Sequence, residues 1–202
     1  MPIALNTALE PPVPLIPPRK RWTRDECKLL ETSGIWEQQR LELINGELIS
    51  KMGQNRPHVV FLNRMFQWLV ETLGWGRVYQ DSPIDVAPGD NPINEPEPDL
   101  IVLKRPFASF EKANTQPDEL ALVVEVSDST MRFDRTVKAA LYARAGIIEY
   151  WVLDVSGRGL IVHREPTPEG YRSVVAYNEF ESVAPLASPQ HGLQIGQLFA
   201  AD

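Results

Sequence analysis

Two hundred and two residues suit a single domain and are ample for a buried core. A 43% hydrophobic and 8% aromatic share excludes wholesale disorder, and the single cysteine, Cys27, excludes both an internal disulfide and a zinc site built from several thiols. A formal net charge of −7 argues against an extended basic face of the kind that binds nucleic acid, but it leaves room for a local basic patch or a carboxylate metal site.

Residues 1–20 carry six prolines and read as a flexible or polyproline arm, with the domain proper running from 21 to 202. The arm has no basic n-region and no unbroken apolar run, so no secretory leader is expected. No stretch approaches the ~20 apolar residues of a membrane span, and the lone thiol fits a reducing cytosol.

Thr23 followed by Glu26 has capping-box spacing and opens a helix to about Glu31, with Gly34 as its stop. LELINGELIS then places two alternating runs around Asn45-Gly46, a strong hairpin signal. Pro57 opens a second helix whose apolar residues, Val60, Leu62, Phe66, Leu69, Val70 and Leu73, lead to Gly74. Short strands are expected at 77–80 and 83–87, before a Pro/Asn/Gly-rich loop. PDLIVL and LALVVEVS are short, nearly continuous apolar runs, as expected of central strands covered on both faces. A helix from about Phe133 to Ala145 precedes three strands, EYWVLDV, GLIVHRE and YRSVVAY, with turns at Ser156-Gly157 and Glu169-Gly170. The remainder reads as irregular. The pattern is α/β, without internal repeats.

Chemistry concentrates on the two central strands. Asp99 follows Pro98 at the start of one, and Glu125 sits late in the other. An acid inside such an apolar run is costly unless it is paired or holds a cation. On neighbouring strands the two carboxylates would converge and suit a hard cation, Mg²⁺ or Mn²⁺. Ser127 would share a face with Glu125. In the helix that follows, Arg132, Arg135 and Lys138 recur at three-residue spacing with Tyr142 beyond, and residues 132–144 hold four bases against one acid, Asp134.

The ordered combination of EPEPDLIVL, LALVVEVSDST, Asp134, Lys138 and YARAGIIEYWVLD, preceded by LELINGELI and His58, resembles the Uma-two family of putative restriction endonucleases, part of the PD-(D/E)XK nuclease superfamily. The resemblance spans about residues 21–180. It implies a restriction-endonuclease-like fold, a mixed central sheet flanked by helices. It also implies that Asp99 and Glu125 are metal ligands and that Glu42 completes the carboxylate set. The superfamily's lysine normally stands two residues after the second acid, where this chain has Ser127; the resemblance implies that Lys138 supplies it from the following helix. The activity implied is Mg²⁺- or Mn²⁺-dependent hydrolysis of phosphodiester bonds in DNA; cutting two strands with one site per subunit would favour a homodimer.

Plainer readings stand beside these. Asp99 can cap a strand, Glu42 can face solvent on its hairpin, and Lys138 can be a solvated helix lysine or pair with Asp134 four residues earlier. Tyr142 reads as a core aromatic and His58 as structural or as a neighbour of the ligands. His163 and His191 lack metal-ligand spacing, and Cys27 lacks an activating neighbour. The sequence contains no P-loop, GxSxG or HExxH motif. The rival to a nuclease is a catalytically idle binding module on the same fold; hydrolysis of another phosphate-containing substrate is a third reading.

Overall fold

The computed structural model describes residues 19–34, 40–51, 56–106 and 113–200. Nearly all of the proline-rich segment, residues 1–18, therefore lies outside the described residues. At the start of α1 (Arg24–Thr32), the Thr23 hydroxyl accepts from the Glu26 N–H, and the Glu26 carboxylate accepts from the Thr23 N–H. This reciprocal pair satisfies N–H groups that a helix start leaves open. Gly34, at φ 74°, ends the turn.

The Asn-Gly pair forms the expected hairpin between β1 (Leu41–Ile44) and β2 (Glu47–Ser50). Asn45 and Gly46 both have positive φ, 51° and 75°, matching the strand twist. A Cβ on Gly46 would fall 2.8 Å from the Arg21 Cβ, so this position needs glycine for space as well as for conformation. The α2 helix runs Arg56–Leu73 and buries Leu62, Met65, Leu69 and Val70. Val60, expected on the inner face, is exposed, and Met65 takes its place because the buried stripe follows the 62, 65, 69 spacing. No helix among the described residues is long and apolar enough to cross a membrane.

Six strands form the central sheet: β3 (Val78–Gln80), β4 (Leu100–Leu103), β5 (Leu120–Ser127), β6 (Glu149–Asp154), β7 (Gly159–Thr167) and β8 (Gly170–Asn178), in that spatial order. All neighbours are antiparallel except β5 and β6, which are parallel. A parallel pair needs a crossover, here the helical segment α3 (Met131–Phe133), a π turn (Asp134–Lys138) and α4 (Ala139–Arg144). The helix thus begins two residues earlier than its apolar pattern suggests. The sheet is mixed and flanked by helices, as expected.

Every residue of β4 and β5 is buried. On one face Leu100, Val102, Leu122 and Val124 pack with α2. On the other, Ile101 and Val123 pack with Tyr142 and Leu141 of the crossover. Alternation then places Asp99, Glu125 and Ser127 on the crossover side.

Two expected features differ. Residues 83–87 form one isolated bridge, Ile84 to Thr115, and no strand; Pro83 and Pro88 bound the segment, and Asp85 is drawn aside by Arg24 at 2.5 Å. The final stretch is ordered: β9 (Ser182–Val183) pairs with β10 (Leu193–Gln194), and α5 (Gly196–Phe199) buries Leu198 and Phe199 against α2.

Gly46→Ala is expected to lower stability by roughly 1–3 kcal/mol, the cost of a strained left-handed residue, as read by urea unfolding.

Candidate active site

Leu100 lies opposite Val124 in the antiparallel ladder, so Asp99 and Glu125, one step beyond, end adjacent strands side by side. Both are buried, as is Glu42 from β1. The Asp99 Oδ2 accepts from the Val126 N–H at 2.8 Å, which ties the carboxylate to the neighbouring strand.

Lys138 fills the space between the other two acids. Its Nζ lies 2.9 Å from Glu125 Oε1 and 3.0 Å from Glu42 Oε1. Tyr142, one turn later, also donates to Glu125 Oε1, at 3.1 Å. The π turn aligns these side chains: its wider winding keeps Asp134 and Lys138 on the inner side, in line with Tyr142. The Tyr150 hydroxyl donates to the Asp134 carbonyl within that turn, at 3.2 Å, one way a helix ladder is opened.

Asp134 does not pair directly with Lys138. Its Oδ2 instead accepts from the hydroxyls of Ser127 and Thr130, both at 2.5 Å. Ser127, in the place of the usual superfamily lysine, thus anchors the helix. The expected basic stripe does not form, because Arg132 and Arg135 are exposed while Lys138 turns inward.

These groups border a cleft of about 150 Å³. One face of the hairpin, Arg40, Glu42, Ile49 and Lys51, forms a wall of it. Lys51 donates to Asp81 Oδ1 at 3.0 Å and to the Glu97 carbonyl at 2.8 Å, and stands 3.9 Å from Asp99 Oδ1. The His58 Nε2 lies 3.6 Å from the same Asp99 oxygen. His163 is buried against the Tyr150 carbonyl and His191 contacts Ser188, both apart from the cleft. Burial, then Glu31 and other acids, raises the Cys27 thiol's pKa, in keeping with an inert core residue.

Burial above all pushes the Glu125 carboxyl up to about 8; Lys138 opposes the shift, while Asp99, Asp134 and Glu42 add to it. Burial works against the Lys138 ammonium, but Glu125 and Glu42 hold its pKa above the ordinary lysine range. Asp99 shifts the opposite way to Glu125: burial raises it, yet the nearby His58 imidazole, the charge of Lys51 and the Val126 N–H bring it below the usual value. Asp99 in turn raises His58.

The sequence matches the profile of the family described as "Uma2: Putative restriction endonuclease" over residues 28–198. The chain belongs to the Uma2 family. Among solved structures, it is similar to a putative nuclease belonging to DUF820 from Anabaena variabilis ATCC 29413, with a TM-score of 0.60 and 14% identity over 80% of this chain and 90% of that one. At that identity the likeness speaks to the fold alone. No curated protein matches.

Of the residues expected from the sequence, Asp99, Glu125, Glu42 and Lys138 meet in this Uma2 cleft. The sequence pattern does not single out Lys51 or Asp81, while Tyr142 is, as expected, a core aromatic with its hydroxyl satisfied, on Glu125. A signal for Lys51 was present: it stands two residues after Ile49, the cross-strand partner of Glu42, and so shares the hairpin face of that acid.

A carboxyl that binds its proton more tightly folded than unfolded stabilises the fold at low pH and loses that contribution as pH rises through its folded value. The metal-free wild type is therefore expected to lose melting temperature between about pH 4.5 and about pH 8, with Glu125→Gln flattening that dependence in thermal scans.

Proposed function

We propose that this Uma2 protein is a Mg²⁺- or Mn²⁺-dependent nuclease that hydrolyses phosphodiester bonds of DNA. The observation that carries the reading is the convergence of Asp99, Glu125 and Glu42, from two buried strands and a hairpin, on one cleft beside a lysine.

The donor set suits a hard cation. Among the described residues, Asp99, Glu125, Glu42 and Asp134 bring four buried carboxylates to the cleft, against the cations Lys138, Lys51 and Arg40. Burial above all, with Asp99, Asp134 and Glu42 beside it, raises the Glu125 pKa, so this carboxyl is stabilised by a proton or by an added positive charge. Among the described residues no three His, Cys, Asp or Glu side chains already close into a cage. Mg²⁺ does not need one, since it is commonly held by one or two carboxylates and keeps several waters.

Asp99 and Glu125 would hold the ion, with Glu42 completing the set. When bound, it would supply a polarised phosphoryl oxygen and a more acidic water. In the hydrolysis a water oxygen bonds phosphorus, the bond from phosphorus to one sugar oxygen breaks, and that oxygen leaves with a proton. Lys138 keeps Glu42 and Glu125 together as their shared counter-charge. One cleft per chain favours a homodimer for cutting both strands of a duplex.

A second reading, an idle fold that binds a partner, draws on one observation: the Lys138 ammonium already satisfies both Glu42 and Glu125. Calorimetric titration of Mn²⁺ with a plasmid-nicking assay separates the two readings. The wild type is expected to bind and nick. Asp99→Asn and Glu125→Ala are expected to lose both by more than about 100-fold, beyond what outer-sphere partners cost. A wild type that neither binds metal nor nicks establishes the binding module instead.

A further inference from the structure

Two lysines border the cleft, and their surroundings differ. The Lys138 side chain is 4% exposed and its ammonium is shared by two carboxylates. Reaching a phosphate would mean leaving one of those acids unpaired in the interior, which is costly. Lys51 lies on the cleft wall, where its side chain is 11% exposed.

Lys51 is held from several sides. Its N–H donates to the Arg40 carbonyl at 2.9 Å, which fixes the backbone where the hairpin strand ends. Its Nζ uses two of three protons, one on Asp81 and one on the Glu97 carbonyl. Asp81 is itself restrained, at a positive φ of 47°, with its N–H on the Asp99 carbonyl at 3.2 Å and its Oδ1 also 2.6 Å from Arg40. Aspartate adopts the left-handed conformation more readily than most residues, and here it fixes the Asp81 carboxylate beside Lys51. The result is an ammonium poised 3.9 Å from Asp99 Oδ1, longer than a hydrogen bond but close enough for strong attraction.

We propose that Lys51 is the catalytic residue that contacts the substrate phosphate, its ammonium meeting a non-bridging oxygen beside Asp99, while Lys138 remains buried as the counter-charge of Glu42 and Glu125. The assignment rests on the nuclease reading above and names the group that brings an anionic phosphodiester into an acidic cleft. Lys51 stays protonated throughout and transfers no proton. Arg40 and Asp81 are positioning residues that hold it.

The experiment uses a fluorescent DNA duplex with Ca²⁺ in place of Mg²⁺, its binding followed by anisotropy across a salt series. Melting temperature, Mn²⁺ affinity and plasmid nicking are measured on the same preparations. Lys51→Met is expected to stay folded and still to bind Mn²⁺, and to lower the salt slope of binding by about one, the release expected for one phosphate contact. Its nicking is expected to fall by about 100-fold or more, the scale of removing one aimed charge donor. Lys51→Arg is expected to restore binding and part of the nicking. If Lys51→Met unfolds, Lys51→Gln, which keeps a donor for the Glu97 carbonyl, is expected to give the same loss of slope. A folded Lys51→Met or Lys51→Gln that binds and nicks like a nicking wild type overturns this assignment alone. A wild type that neither binds nor nicks the duplex overturns the nuclease reading and the assignment with it.

Discussion

A single buried ammonium group decides how the parts of this protein fit together. Lys138 comes from the crossover helix, Glu125 from the middle of the sheet and Glu42 from a hairpin that joins the rest of the structure through only a few backbone contacts. Charges inside a protein are tolerated when paired and hydrogen-bonded, and removing one partner of such a set costs about 3–5 kcal/mol. Each element is therefore constrained by the other two. The Tyr142 hydroxyl on Glu125 and the Ser127 and Thr130 hydroxyls on Asp134 satisfy further buried oxygens around this ammonium.

That arrangement also changes how the net charge of −7 is understood. Several of the acids are concentrated within one cleft, where they favour a cation and repel an anion. Among the described residues, Lys51, Arg40 and Lys138 bring positive charge to the cleft, and Lys51 stands 3.9 Å from Asp99 Oδ1. Asp99 and Glu125 stand side by side and titrate in opposite directions. His58 and Lys51 draw the Asp99 pKa down, whereas burial pushes that of Glu125 up. Environments that separate the pKa values of two neighbouring acids are typical of sites with chemistry to perform.

The sheet supplies the rigidity such a site needs. β4 and β5 are buried along their whole length and packed on both faces, so the ends carrying Asp99 and Glu125 have little freedom. The one parallel pairing, β5 with β6, requires the crossover that carries Lys138 back over the acids. Topology and site geometry are thus consequences of the same connection.

Much of this was legible in the sequence, for local reasons. The capping pair Thr23 and Glu26, the Asn45-Gly46 turn and the apolar runs of β4 and β5 report short-range geometry, and each formed where it was expected. An acid within an apolar run needs a partner, which was enough to single out Asp99 and Glu125. The partner's identity was not readable in this way. By spacing alone Lys138 is one of three cations along one side of the helix, and in the fold it turns inward with Asp134 while Arg132 and Arg135 stay exposed. Lys51 and Asp81 are 30 residues apart and meet only because the hairpin docks at the end of the sheet. Likewise, the strand expected at 83–87 gave way to Asp85's attraction to Arg24, 61 positions earlier. Sequence alone determined the elements and the acids that need compensation. Tertiary structure decided which cation compensates them and which remains available at the cleft, because that choice depends on contacts between segments far apart in the chain.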